Sequence, residues 1–127
     1  MTDDELRDLV TGAITKGIPL HKEIDVVSMT HAIWTCINKD ARNIHSENFI
    51  HYGQLSVIYV LNQKDQLISK IHVGPERINF LVPEDIVLDM KDDSNLRRNV
   101  GWCAMHTLHS YGVYIEKNHP ELIPSKS

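Results

Sequence analysis

The sequence predicts an α+β fold: two N-terminal helices, an antiparallel meander of three or four strands, and a long C-terminal helix packed on the sheet. Between Gln54 and Val82, three β-forming segments alternate with turn residues, which is typical of a meander. Before and after this region, apolar residues recur at helical spacing. At 127 residues the chain fits one domain, residues 1–127, whose core requires neither disulfides nor metals.

The first predicted helix begins at a capping box, in which Thr2 is followed three residues later by Glu5. Gly17 is placed to end this helix, because glycine readily adopts the left-handed conformation that closes many helices. The pair Ile18-Pro19 then closes the segment. Between these ends, the apolar residues follow helical spacing: Leu6, Leu9, Val10, Ala13 and Ile14.

The second predicted helix runs from an N-cap at Asp25 to about Lys39. Val27 and Trp34 lie off its main apolar stripe, so this helix is expected to be apolar on more than one side. Residues 40–53 combine polar turn formers with a few aromatic residues and are predicted to be a loop leading into the first strand. The main stripe consists of Val26, Met29, Ile33, Cys36 and Ile37.

The meander begins with Leu55 to Leu61, an almost continuous run of β-branched, aromatic and aliphatic residues that is typical of a strand covered on both faces. Two turns follow, one made of polar residues and one containing Gly74 and Pro75. The other predicted strands are Gln66 to Val73, Ile78 to Val82 and, after a further turn, a short fourth strand at Ile86 to Leu88.

The long C-terminal helix is predicted to run from about Asn95 to about Asn118. Asp93 or Ser94 caps its start, and the proline at position 120 disfavours a helical residue before it. Residues 119–127 are expected to be a frayed tail. The stripe that should face the sheet consists of Leu96, Val100, Cys103, Leu108, Tyr111 and Ile115.

A second side of this helix is also partly apolar. It carries Trp102, Met105, His106, His109 and Val113. A second apolar side must be covered, either by the second helix of the same chain, whose own tryptophan also needs cover, or by another protein. These five residues are therefore candidate partner-binding residues, in a homodimer or in a complex with a different protein.

An acidic patch is predicted just before the C-terminal helix, and Lys91 is the one basic residue within it. Five acids lie within ten residues here: Asp93 and the four candidate partner-binding acids Glu84, Asp85, Asp89 and Asp92, which are called the acidic patch. Such a patch would attract a protein with a basic surface and accelerate association. The alternative is a local role, in which the acids solvate a turn and favour the helix N-terminus through the helix dipole.

Thiolate and imidazole are good zinc ligands, so Cys103, His106 and His109 suggest a metal site. The spacing weakens this interpretation, because residues 103 and 109 are about 120° apart around an ideal helix. We therefore expect no bound metal and no cofactor. A metal- or histidine-dependent enzyme or small-ligand-binding domain, built on these side chains, is the alternative function.

The net charge of −4 disfavours direct binding to nucleic acid, because nucleic acid rewards a basic surface. No apolar run reaches the roughly 20 residues of a membrane span, and the acidic N-terminus differs from a signal peptide, so a cytoplasmic location is expected. Phosphate-binding glycine loops and nucleophile motifs are also missing. The predicted function is a non-enzymatic protein-binding module: an inhibitor, immunity protein, adaptor or assembly subunit.

Overall fold

The computed structural model of the chain describes residues 17–40 and 43–123. Of the two predicted N-terminal helices, the first lies outside these residues, as do the last four positions of the predicted tail. The elements of the described part are β1 (Ile18–Pro19), α1 (Val26–Asp40), β2 (Ile44–His45), β3 (Phe49–Tyr52), β4 (Leu55–Asn62), β5 (Leu67–Val73), β6 (Arg77–Leu81), α2 (Glu84–Asp89), α3 (Ser94–Asn118) and a 3₁₀ turn (Pro120–Leu122).

The architecture is α+β, with one six-stranded antiparallel sheet and a long C-terminal helix, as the sequence predicts in outline. Strands β4, β5 and β6 pair in succession and form the predicted meander. Ile58 lies opposite Ile71, and Ile71 lies opposite Phe80, so these side chains share one face of the sheet. All three are buried in a core that also includes residues of α1 and α3. The helices therefore cover this face.

The helix ends follow the predicted capping chemistry. The Asp25 carboxylate accepts hydrogen bonds from the Ser28 backbone N–H and hydroxyl, at 2.9 and 2.8 Å. The Asp93 carboxylate accepts from the Leu96 backbone N–H at 3.0 Å at the start of α3. The two bonds from backbone N–H groups satisfy donors that the first turn of a helix leaves without an intrahelical partner. The predictions of α1 and α3 are confirmed.

The prediction of three or four strands is only partly matched, because the sheet formed by the described residues has six strands. Residues 40–53, predicted to be a loop, contain β2 and β3, which pair end to end along the same edge of β4. Ile44 lies opposite Asn62, and Phe49 lies opposite Ile58. Strands this short show little periodicity of their own, so pairing with the long β4 edge determines their structure.

The predicted fourth strand at Ile86 to Leu88 is also wrong, because these residues belong to helix α2. The segment begins after Pro83 with Glu84 and Asp85 in the first turn, where the helix dipole favours negative charge. Ile86 is fully buried, whereas the next two side chains are exposed. The three consecutive apolar residues resemble a short strand in sequence, although only the first of them is buried.

The buried face of α3 is more polar than its predicted stripe. Thr107 and Ser110 are buried, and their hydroxyls donate to the carbonyls of Cys103 and His106, at 2.9 and 2.6 Å. Because these bonds satisfy the hydroxyls within the helix, the two residues can face α1 without an unpaired polar group. Leu108 and Tyr111, which the stripe predicts to be core residues, are only partly buried.

After α3, the described part of the predicted frayed tail forms the 3₁₀ turn. The His119 backbone N–H donates to the Ile115 carbonyl at 2.8 Å, and the Leu122 N–H donates to the His119 carbonyl at 2.9 Å. Leu122 packs against the core. None of the helices in the described residues combines the length and the apolar character that a membrane crossing requires.

Candidate protein-binding surface

Helix α2 presents apolar side chains to solvent. Ile86 anchors the helix to the core and is fully buried. Val87 and Leu88 are 48% and 56% exposed, which is high for aliphatic side chains of this size. Leu81, at the end of the neighbouring β6, is 45% exposed. Leu81 and Val87 line the same groove and so form an apolar edge between the sheet and α2.

A groove of about 640 Å³ lies beside this edge. Carbon atoms of β6, α2 and the first turns of α3 dominate its walls, and Lys91 and Arg97 stand at its border. The Arg97 guanidinium donates to the carbonyls of Met90 and Lys91, at 2.6 and 3.2 Å, and so occupies carbonyls just after α2. The groove, called here the α2 groove, is lined by Phe80, Leu81, Val82, Val87, Met90, Lys91, Arg97 and Val100.

The four carboxylates of the predicted acidic patch are all exposed on or just after α2. They belong to Glu84, Asp85, Asp89 and Asp92. Among the described residues, none of the four forms an ion pair. The neighbouring Asp93, by contrast, is used as the cap of α3. The patch therefore contributes to the start of α2 and also presents four carboxylates without an ion pair on or just after the helix that contributes Val87 to the α2 groove.

Of the second candidate surface predicted from the sequence, one part is exposed in the structure and the other part is packed against the rest of the chain. Met105 and Val113 are 36% and 46% exposed, and His109 between them is exposed as well. Because they are spaced by four residues, the three share one face of α3. Trp102 is instead partly buried and packs against the core, and the His106 Nδ1 atom lies 3.7 Å from the Cys36 sulfur of α1.

Helix α1 therefore covers part of the second side of α3, which is the alternative that the sequence leaves open. Its Trp34 packs elsewhere, against His31 of its own helix and Phe49 of β3, with ring centroids 5.9 and 6.3 Å apart. What remains exposed on α3 is the strip formed by Met105, His109 and Val113. His109 and Val113 of this strip line a second groove, of about 520 Å³, between α1 and α3.

The structure does not bring Cys103, His106 and His109 together as a metal site. Cys103 is fully buried, and burial raises the pKa of its thiol to about 12 although the Ser69 side chain opposes this shift. The thiol is therefore protonated at neutral pH and is a poor metal ligand and nucleophile. His106 faces Cys36, whereas His109 is exposed. Both cysteines are free.

Sequence reasoning found the acidic patch but missed the α2 groove beside it. Treating residues 86–88 as a strand hid the exposure of Val87 and Leu88. The segment carries a usable signal, because Pro83 followed by two acids is a common helix start. The walls supplied by β6 and α3 carry no comparable local signal, since they meet only in the folded chain.

The fold defines this chain as an α+β domain in which α1 and α3 cover one face of an antiparallel sheet. No protein-family model matches the chain, and neither a curated protein nor a solved structure is significantly similar to it. The α2 groove and the neighbouring acidic patch combine exposed apolar area, a concave shape and carboxylates without an ion pair in the described residues.

Proposed function

We propose that this chain is a non-enzymatic protein-binding module that uses the α2 groove and the acidic patch. The proposal is carried by an exposed apolar groove to which α2 contributes Val87, together with four exposed carboxylates on or just after α2 that form no ion pair within the described residues. The partner that fits it is a protein segment with an apolar anchor side chain flanked by lysine or arginine. An inhibitor, immunity protein, adaptor or assembly subunit would use such a surface.

The groove and the patch contribute differently to binding. Covering Leu81, Val87 and Leu88 removes apolar surface from water, at about 25 cal/mol for each Å² buried. Side chains that fill a desolvated pocket at the centre of an interface usually carry most of the binding energy. Exposed charges at the rim contribute mainly to the rate of encounter and to the choice of partner. Affinity is therefore assigned to the groove, and selection of a basic partner to the acidic patch.

The strip on α3 is the weaker candidate. Only Met105 and Val113 expose apolar atoms there, and His109 separates them. Trp102, which would be the strongest anchor of such an interface, packs against the core. A homodimer through α3 would therefore lack an exposed aromatic anchor, although the strip also borders a groove, whereas the α2 groove exposes Leu81 and Val87 in its wall.

The proposal predicts that Val87→Asp abolishes capture of a partner by the immobilised full chain. The matched control is Val27→Asp on α1, since Val27 is 42% exposed and Val87 is 48% exposed. Because the new carboxylate must be desolvated in the groove, the isolated partner should bind Val87→Asp at least about 30-fold more weakly than wild type. Val27→Asp should bind like wild type in the same titration.

Circular dichroism and a thermal melt of both variants establish that each remains folded. Equal loss of capture by the two variants would show that the groove is not the contact. Full retention by Val87→Asp would show the same. Failure of the wild-type chain to capture any protein in a stoichiometric, competable manner would overturn the proposal as a whole.

The acidic patch predicts a kinetic effect. Replacing both Asp89 and Asp92 by asparagine should slow association with a basic partner at low ionic strength and leave dissociation nearly unchanged, because rim charges act on encounter. The matched double variant replaces Glu47 and Glu116 by glutamine, two exposed acids outside the patch. Stopped-flow or surface-plasmon measurements across a salt series distinguish the two pairs. An association rate indifferent to salt and to the Asp89 and Asp92 changes would remove the electrostatic part of the proposal.

A further inference from the structure

Three potential metal ligands meet at the end of the molecule where α3 terminates. They are Glu23, from the turn before α1, and His119 and Glu121, which flank the start of the 3₁₀ turn. One ligand atom from each side chain lies within 4.8 Å of the other two. Within the described residues, no other group of three histidine, cysteine or acidic side chains has ligand atoms this close together. It brings together two segments that are far apart in sequence.

The distances are near those of a metal site. Zinc binds histidine nitrogen and carboxylate oxygen at about 2.0–2.2 Å, so neighbouring ligand atoms in a tetrahedral site are about 3.3 Å apart. The His119 Nδ1 atom is already 3.2 Å from a Glu121 carboxylate oxygen. Glu23 is exposed, and rotation of its side chain can bring its carboxylate to the same spacing.

The surroundings of these ligands support the same chemistry. The Tyr114 ring lies 6.0 Å from the His119 ring, and such packing restricts the orientation of an imidazole. The pKa of Glu121 is lowered, first by its own backbone N–H, then by His119, and slightly by His21. His21 precedes Glu23 by two residues. Its Nδ1 atom accepts the Glu23 backbone N–H at 3.3 Å, which leaves its Nε2 atom for another partner.

We propose that Glu23, His119 and Glu121 form a surface site for a divalent transition-metal ion of the zinc type. An imidazole with carboxylates suits zinc and its neighbours better than calcium or magnesium, which prefer ligand sets made entirely of oxygen. The ion would join the turn before α1 to the turn after α3. This site is separate from the α2 groove and from the proposed partner.

The site is tested by titrating zinc chloride alone into the full chain after treatment with a chelator, using isothermal calorimetry. One ion should bind per chain, and removing any one ligand by His119→Ala, Glu23→Gln or Glu121→Gln should weaken binding at least about tenfold. His109→Ala is the matched control, because His109 is exposed on α3, the helix that ends just before His119, and lies outside the cluster. It should bind zinc like wild type.

A second readout excludes a folding defect as the cause. Without metal, wild type and the ligand variants should melt alike, because the core of this domain contains no metal ligand set in the described residues. Added zinc should raise the melting temperature of wild type and of His109→Ala and leave that of His119→Ala unchanged, since an ion stabilises only the folded state that binds it. Zinc binding that persists in His119→Ala and Glu23→Gln, or no binding by wild type, would overturn the proposal.

Discussion

Replacing Ile58 by alanine is expected to lower the free energy of unfolding by about 3 kcal/mol, within the range of about 2–5 kcal/mol for such truncations in cores. Ile58 is fully buried at the centre of β4, opposite Phe49 on one side and Ile71 on the other. Strands on both sides and helices above hold its surroundings in place, so the cavity cannot collapse easily. Urea denaturation followed by circular dichroism measures the loss.

Ile50→Ala provides the matched control. Ile50 lies on the neighbouring β3 opposite Val57, on the other face of the sheet, and is 43% exposed. The same truncation there should cost less than about 1 kcal/mol, because solvent replaces the lost methyl groups without a cavity. Equal losses at Ile50 and Ile58 would contradict the assignment of the helix-covered face.

Gly17→Ala is expected to cost about 2 kcal/mol, since two penalties combine at this position. Gly17 has a φ of 79°, which side-chain-bearing residues rarely adopt. A Cβ atom there would also lie 2.6 Å from the Asn79 side-chain oxygen and 2.7 Å from the Ile78 carbonyl oxygen. The carbonyl belongs to β6, which pairs with β1, so relief requires the two strands to separate.

Two other glycines separate these penalties. Gly53 has a φ of 55° and no atom within 4 Å of an added Cβ, so Gly53→Ala should show the backbone cost alone, about 1 kcal/mol. Gly101 lies within α3 with the same free space, and Gly101→Ala should stabilise the protein by up to about 1 kcal/mol. Thermal and urea denaturation of the three variants measure these changes in stability and rank them. If Gly17→Ala lowers the free energy of unfolding no more than Gly53→Ala does, β1 moves away from β6 without a measurable loss of stability.

The two proposed sites lie at opposite ends of α3. Arg97 and Val100 of the α2 groove are in its first turns, whereas His119 of the metal cluster follows its last residue. A helix of 25 residues is about 37 Å long at about 1.5 Å per residue. Substitutions at one site should therefore leave the other unaffected, and each proposal can fail without the other. A partner that fills the groove would leave the metal cluster open to solvent.

The elements that sequence reasoning placed correctly are those with strong local chemistry. The capping carboxylates of Asp25 and Asp93 announce the starts of α1 and α3, and both make the expected hydrogen bonds. The end of α3 before Pro120 follows from the restricted backbone of the preceding residue. The long run of β4 also needs no tertiary information, because its β-branched and aromatic residues favour extended structure over eight residues.

The sites were less accessible from sequence than the elements. Acidic side chains near α2 were evident, but their role beside a groove depends on how Phe80, Leu81 and Val100 meet. The cluster of Glu23, His119 and Glu121 has no sequence signature, since its two segments are almost a full chain apart. The more conspicuous Cys103, His106 and His109 share a helix, yet the fold turns them toward a buried pocket, α1 and solvent, respectively.

By itself, the sequence determined the α+β class, the meander and the limits of α1 and α3, because capping, backbone restriction and apolar periodicity act between residues close in the chain. Only the tertiary structure decided that residues 44–45 and 49–52 become strands and that residues 84–89 become a helix. Short segments have little intrinsic preference, so the free edge of β4 and the burial of Ile86 select their conformations. The same long-range packing creates the α2 groove and the metal cluster, which is why neither could be read from local spacing.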